Sequence, residues 1–355
     1  AGRLSDLSLF DYSAQPVPDG DYRDLDPVER ERLRDIIRKY RGEPALLELD
    51  NEELDKALQM VVQVDKRLVP TYTGLLLIGK AERLKALMPT AETAIQVLEG
   101  TDIRVNESFF LSILAAFEKI TEYVAAWNHE MEEGLFRISV PDFDKRAFRE
   151  ALVNAFCHRD YSMLGRVRVE INSEGMLISN PGGFIEGINA DNLLDAEPHG
   201  RNPVLADALK RIGLAERTGR GIDRIYEGSL LYGRLLPDYS RSTSTSVCLF
   251  IPRGMPDRAF VRMISEEQQR LGHPLPIYAL LVLNTLKQMH QATLREISEA
   301  LKRDESRIKI VVETSDLCGI WISRSDWEWS RQKLYVEPES LRERKYSCVY
   351  QTKRN

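Results

Sequence analysis

The period of the apolar positions changes repeatedly along the chain, and each change predicts an element. Asp26 followed by Pro27 is a favoured cap and first-turn pair, so a helix is predicted from Pro27 to about Tyr40, stopping at Gly42. A second helix is predicted near 51–60, and short extended pieces at Val61–Val64 and Leu68–Pro70. Ala94–Leu98 reads as a strand, and apolar positions at 109/110, 113/114, 117, 120, 124 and 127 predict one long helix from Glu107 to Met131. A strand at Leu135–Val140 leads to Phe148–Tyr161, where the pattern is unusual. Glu150, Asn154 and His158 lie four apart, on one side of a helix otherwise covered by Leu152, Val153, Ala155 and Phe156. A carboxylate, an amide and an imidazole in one stripe are costly to desolvate, so the stripe needs a solvent edge or a ligand.

Beyond it, Val167, Val169 and Ile171 alternate at period two, and a Ser-Glu-Gly turn leads to Gly175–Ser179, which together predict a hairpin ended by Asn180-Pro-Gly-Gly183. Helices are predicted at Val204–Ile212 and from the Thr218–Arg224 string to about Tyr232, then a strand at Ser244–Ile251. Gly254, Pro256, Gly272 and Pro274 mark residues 254–275 as a hinge. A helix at Ile277–Met289, a T-x-x-E capping box at Thr293–Glu296 opening a helix to Lys302, a helix at Ser306–Leu317, and a β pair at Trp321–Arg324 and Lys333–Glu337 follow. That order is the layout of a winged helix-turn-helix.

Length and composition narrow the class. With 355 residues, 43% hydrophobic and 29% charged, the chain is globular, with room for two or three domains. A net charge of −6 excludes a molecule coated in basic charge, but residues 256–355 hold 17 Lys and Arg against 14 Asp and Glu, net +3, leaving −9 for the rest. The C-terminal hundred residues are therefore the expected side for a polyanion. Cys157, Cys248, Cys318 and Cys348 are too dispersed for a metal pair and read as reduced thiols. With no leader and no apolar run near 18 residues, a cytoplasmic protein without membrane contact is expected.

Gly74-Leu-Leu-Leu-Ile-Gly79-Lys80-Ala81 is one residue from a P-loop, but Ala81 replaces the Mg²⁺-binding hydroxyl and the four intervening residues are large and apolar. A buried element followed by a turn is the better reading.

Four strings, Arg149–Ala155 with His158-Arg-Asp-Tyr161, Ile178–Gly183, Arg201-Asn-Pro203 and Gly219-Arg-Gly-Ile222, resemble in order and spacing the RecG-like transcriptional regulators that also carry a DNA-helicase name. In that family an AlbA domain, which is not evident in this sequence, precedes a divergent GHKL-type ATPase domain. The resemblance, covering about residues 16–252, implies an α/β (α+β) chain, a Bergerat-like α/β sandwich followed by the winged helix. Its implied division is a tail at 1–25, a GHKL-like domain at 26–253 with the motifs in 141–253, the hinge at 254–275, the winged helix at 276–340 and a tail at 341–355.

By the same resemblance, Glu150 is a catalytic base, Asn154 ligates Mg²⁺, and ATP is contacted by Asn154, His158, Asn180, Gly182, Gly183, Arg201, Gly219 and Gly221, with 184–203 as a lid. Asn180 stands where the family has an aspartate that accepts from the adenine amine. Plainer roles stay open: Glu150 as a solvated helix residue, Asn154 and His158 as hydrogen-bond locks, the glycines as turns and caps, and Arg201 as a partner of Asp195 or Glu197. In the winged helix, Lys302, Arg303, Arg307, Lys309, Arg331 and Lys333 are the expected contacts to double-stranded DNA. The implied function is a DNA-binding transcriptional regulator, expected to be a homodimer, that binds a nucleotide. An ATPase without a helicase motor, or a nucleotide-free interaction module, are the alternatives.

Overall fold

The computed structural model describes residues 10–127, 130–133, 138–197, 200–314, 320–322 and 333–336. Two compact units result: Ala1–Glu132, Arg137–Gly228 and Leu236–Gly254 form the first, and Glu133–Phe136, Ser229–Leu235 and Met255–Asn355 the second.

Unit 1 begins with a segment expected as a linker. Residues 10–25 are instead packed: Val17 is buried, Ser13 fully so, and Val17, Tyr72 and Thr73 exchange backbone hydrogen bonds with Pro70, Gln15 and Ser13. Helix α1 (Pro27–Tyr40) is capped by Asp26, whose carboxylate accepts from Val28 N. Helix α2 (Asn51–Ala57) and the hairpin β1 (Val61–Val64) and β2 (Arg67–Pro70) follow. The P-loop-like string forms α3 (Tyr72–Ile78) and the start of α4 (Ala81–Leu87). A Cβ on Gly74 would lie 2.0 Å from the Met60 carbonyl oxygen, so this glycine serves close helix packing.

The helix predicted from Glu107 starts later. Residues Asp102–Phe109 are strand β4, paired antiparallel with β3 (Thr93–Glu99) across a turn at Gly100, φ 62°. The apolar residues at 109/110 belong to the strand end, and Ser112, whose hydroxyl accepts from Ala115 N, starts α5 (Ile113–Trp127). Strands β5 (Glu130–Glu133) and β6 (Ile138–Pro141) pair, and α6 (Lys145–His158) carries the polar stripe. The predicted hairpin is β7 (Val167–Ile171) with β8 (Gly175–Pro181), followed by α7 (Pro203–Arg211), α8 (Gly221–Leu230) and β9 (Ser246–Pro252).

The main sheet runs β4-β3-β7-β8-β9, antiparallel except for the β3–β7 pair. One face is apolar: Ile95 pairs with Val169, Val169 with Ile178, and Ile178 with Leu249, all buried. Each such side chain contributes about 1.5–3 kcal/mol of transfer free energy. The other face carries Gln96, Arg168 and Glu170 in a surface network. A sheet with one greasy face must be covered, and helix α6 packs on β8, giving an α/β sandwich.

In unit 2, Arg258–Leu271 is a 14-residue helix, α9, occupying most of the segment expected as a hinge. Asp257 accepts from Phe260 N at its start, Gly272 (φ 73°) ends it, and Phe260, Val261, Met263 and Ile264 are buried. The proline and glycine pairs mark its two ends. Then come α10 (Ile277–Met289), β10 (Gln291–Thr293), α11 (Leu294–Leu301), α12 (Glu305–Thr314), β11 (Ile320–Ile322) and β12 (Lys333–Val336), with strand order β10-β12-β11. The capping box is complete: Thr293 Oγ1 accepts from Glu296 N while the Glu296 carboxylate accepts from Thr293 N. Val282, Leu286, Leu294, Ile297, Ile308 and Val312 join the three helices in one core.

Candidate functional site

A cavity of about 220 Å³ lies within unit 1, over the stripe of α6. Asp144 starts this helix by accepting from Arg146 N and Ala147 N, both at 2.9 Å. The helix ends at His158 rather than Tyr161. Arg159, 1% exposed, is extended and donates to the carbonyls of Thr90, Asp160, Met163 and Gly165, so it pins the loop that follows.

All three members of the stripe line the cavity. Glu150 is 1% exposed; Oε2 accepts from Glu216 N at 3.3 Å, and Arg149 reaches Oε1 at 3.4 Å. Burial raises its pKa above the usual carboxylate value, against the weaker opposing pull of Arg149. The Asn154 amide, half-buried, has no hydrogen-bond partner among the described residues. Neither has the His158 ring, which burial, and then the charges of Arg201 and Lys210, push down to about 4, leaving it neutral at physiological pH.

Asn180, at the end of β8, is 5% exposed, and its Nδ2 donates to Pro181 O at 3.2 Å. Asn180 also lines the cavity, and its Oδ1 makes no hydrogen bond among the described residues. Beside it Ile178, Val247 and Leu249 form an apolar wall. Gly221 brings the start of α8 against the stripe: a Cβ there would lie 3.2 Å from Glu150 Oε2 and 3.8 Å from Asn154 Nδ2. Gly219, φ 77°, makes the turn before it and also lines the cavity, as does Gly183. Gly182 is not in the lining; with φ 95° and a hypothetical Cβ 2.6 Å from Arg201 Nη1, it makes room for that guanidinium.

Arg201 lines the cavity but is 3% exposed, donating from Nη1 to His158 O at 2.8 Å and from Nη2 to Gly183 O at 3.2 Å. Asn202 Nδ2 donates to the carbonyls of Cys157 and Arg159, both at 2.8 Å. The last carbonyls of a helix have no partner within it, so Arg201-Asn202 is the cap that closes α6. The start of α7, in turn, is capped from far away: Asp11 Oδ2 accepts from Val204 N and Ser13 Oγ from Leu205 N. Residues expected as a lid are turns around Gly187, Asn189 and Asn192, from which Ile185, Ile188 and Leu194 face the cavity.

Sequence reasoning missed Lys210, half-buried in the last turn of α7, lining the cavity and making no hydrogen bond or ion pair among the described residues. Its neighbour Arg211 pairs with Glu43 at 3.0 Å and donates to Ala57 O. Both look alike in sequence, as basic residues that favour a helix end. Glu216, Asp223 and Tyr239 also line the cavity unforeseen.

In unit 2, Lys302 is exposed in a left-handed turn (φ 51°), and Arg307 is exposed with its guanidinium 4.2 Å from the Tyr278 ring centroid. Arg303 and Lys309 are half-buried, Lys309 at 4.0 Å from Glu313. Lys333 sits opposite Thr293 in the sheet; Arg331 lies outside the described residues. Among the described residues no helix is long and apolar enough to cross a membrane, and no cluster of three or more His, Cys, Asp or Glu could hold a metal.

With this geometry in place, comparison with known proteins gives two partial family matches. Residues 165–251, which contain β7, β8, α7, α8 and β9, match the family described as "Putative ATP-dependent DNA helicase recG C-terminal". Residues 4–94 match a domain of unknown function (DUF8451), a stretch that includes the packed residues 10–25. No curated protein matches. The DIP2311 protein of Corynebacterium diphtheriae has a similar solved structure, with TM-score 0.73 and 21% identity over 92% of this chain. This chain spans 64% of the length of that one, and the likeness is one of fold. The family match supports an ATPase-type domain over residues 165–251; the helix carrying Glu150, Asn154 and His158 precedes the matched stretch.

Proposed function

We propose that unit 1 binds an adenine nucleotide in the cavity over Glu150, Asn154 and His158, in the manner of a divergent Bergerat-type domain. One observation carries the reading: the Asn154 amide, the His158 ring and Asn180 Oδ1 converge on one cavity without protein partners. Polar groups that line one cavity without protein partners are available to hydrogen-bond a ligand there, as the few placed polar groups of a ligand pocket do. Asn180, held with its amide nitrogen turned to Pro181 O, offers an acceptor to an exocyclic amine, and Ile178, Val247 and Leu249 offer an apolar surface to a flat base.

Mg²⁺ suits the oxygen donors present. It is commonly held by one or two protein oxygens plus phosphates and water, and Asn154 Oδ1 would supply one such oxygen. When bound, the ion would neutralise phosphate charge. Glu150, whose burial raises its pKa and so makes the ionised carboxylate a stronger base, would take a proton from water if the nucleotide is hydrolysed. Arg201 is assigned to holding the cavity wall, and Gly182 to making space for it.

Unit 2 is assigned as a winged helix, with α12 entering the major groove and the β11–β12 ribbon as wing. Its helix order, its ribbon and the exposed Lys302 and Arg307 support double-stranded DNA as partner. Regulation of transcription follows as the combined role.

Isothermal titration of the whole chain with ATP and ADP, with and without Mg²⁺, tests the nucleotide reading. Saturable heat abolished or weakened by Asn154→Leu is the expected result, and no heat at millimolar nucleotide overturns it.

A further inference from the structure

The cavity is electrically lopsided. Around the first turn of the stripe stand carboxylates: Glu150, with Glu216 and Asp223 near the glycine turn. At the other end, the charges acting on His158 are both cationic, Arg201 and Lys210. Arg201 is nearly inaccessible and donates to two carbonyls. Lys210 is the cation left over. It is half withdrawn from water and has no partner among the described residues, while Arg211 next to it is fully engaged.

With its stem half-buried and no counter-charge among the described residues, the Lys210 ammonium is available to an anion entering the cavity. Stabilising α7 does not require Lys210 to face the cavity, because a basic residue anywhere in the last turn satisfies the helix dipole. Its direction is explained by an anion that arrives from outside. The neutral His158 adds an N–H donor beside it, and Gly200 keeps that corner open, since even a Cβ there would stay 3.8 Å from His158 Cε1. The two ends of the stripe are about 12 Å apart along the helix, given eight residues at 1.5 Å each. A phosphate here is therefore distinct from one bridged by metal at Asn154, about 6 Å away.

We propose that Lys210 and His158 form an anion subsite in which the Lys210 ammonium directly contacts a phosphate group of the bound nucleotide. The identity of the ligand rests on the nucleotide reading above; the anion subsite does not.

The test is calorimetric titration of the whole chain, wild type, Lys210→Met and Lys210→Arg, with adenosine, ATP and pyrophosphate. A lysine–phosphate contact contributes on the scale of a charged hydrogen bond, so Lys210→Met should weaken ATP and pyrophosphate by roughly tenfold or more. Adenosine should change less than about twofold, and Lys210→Arg should restore much of the ATP affinity. Equal melting temperatures confirm that each variant is folded. If wild type and Lys210→Met bind ATP alike, the subsite is refuted while the nucleotide reading stands. If pyrophosphate binds in a Lys210-dependent way but adenosine and ATP do not bind, the nucleotide reading falls and the subsite stands. No binding of any probe refutes both.

Discussion

Two asparagines, Asn154 lining the cavity and Asn202 capping α6 behind it, should respond differently to the same substitution. Asn154→Leu and Asn202→Leu each replace an amide by an apolar group with the same number of heavy atoms. Asn154 is half-buried and unpartnered among the described residues, so replacing its amide forfeits no protein hydrogen bond. Full burial of an unpaired amide costs about 1–3 kcal/mol; for one still in contact with water, removing it should be near neutral, stabilising by at most about 0.5 kcal/mol. Leucine's better helix propensity adds roughly 0.4 kcal/mol. Asn202, 1% exposed, donates at 2.8 Å to both Cys157 O and Arg159 O. Losing it orphans two buried acceptors, at about 2–4 kcal/mol, offset by about 1 kcal/mol because Asn202 Oδ1 is itself buried without a partner. The net expectation is a loss of about 1–3 kcal/mol. At about 2–4 °C per kcal/mol for a unit of this size, scanning calorimetry should place Asn154→Leu level with wild type or above it by up to about 4 °C, and Asn202→Leu below it by about 2–12 °C. Nucleotide binding should be lost only in Asn154→Leu, once Asn202→Leu is measured well below its melting temperature. A drop of more than about 1 kcal/mol for Asn154→Leu would make that amide a structural lock and remove the main support for a ligand there.

Four further outcomes follow from the same geometry. His158, with its folded pKa near 4 against an ordinary 6.5, leaves the unfolded chain binding more protons between those values. Stability should therefore fall as pH drops from about 6.5 towards 4, by up to about 1.4 kcal/mol per pH unit from this group, and urea denaturation of His158→Gln should show a shallower slope. Gly219→Ala, forced at φ 77°, should cost about 1–2 kcal/mol, while Gly221→Ala, without backbone strain but with its Cβ 3.2 Å from Glu150 Oε2, should cost less stability and weaken nucleotide binding. Thr293→Ala should destabilise unit 2 by about 1 kcal/mol in thermal melts by removing the cap of α11. In gel-shift titrations, Arg307→Ala should weaken duplex DNA binding, and the salt dependence should flatten by about one phosphate contact.

What was legible from sequence divides along the range of the interaction. The hairpin β7–β8, helix α10 and the capping box at Thr293 are local, set by period and by residues three or four apart, and they appear where the patterns put them. The stripe of α6 was legible too, because i, i+4, i+8 spacing fixes a common face on any helix. The segment from Glu107 misled because Phe109 and Phe110 continue the helical spacing, while the strand Asp102–Phe109 is held by pairing with β3, which no local window contains. The supposed hinge misled because its prolines and glycines flank a helix rather than interrupt it. Residues 10–25 look like a tail until Asp11 and Ser13 are seen capping α7, some 190 positions away. Arg201 resembled a phosphate ligand because an arginine in a motif cannot reveal that its guanidinium faces helix-end carbonyls. Lys210 was invisible for the converse reason: only the packing of α7 tells it from Arg211.

The central claim, that the polar stripe of α6 is the floor of a nucleotide site, is tested most directly by a crystal structure of the whole chain with a non-hydrolysable ATP analogue and Mg²⁺ at saturating concentration. The predicted result is ligand density between Asn154, Asn180 and Gly219, with the base against Ile178 and Leu249 and a phosphate at Lys210. Density for the analogue elsewhere, or an empty cavity at saturation, would contradict it.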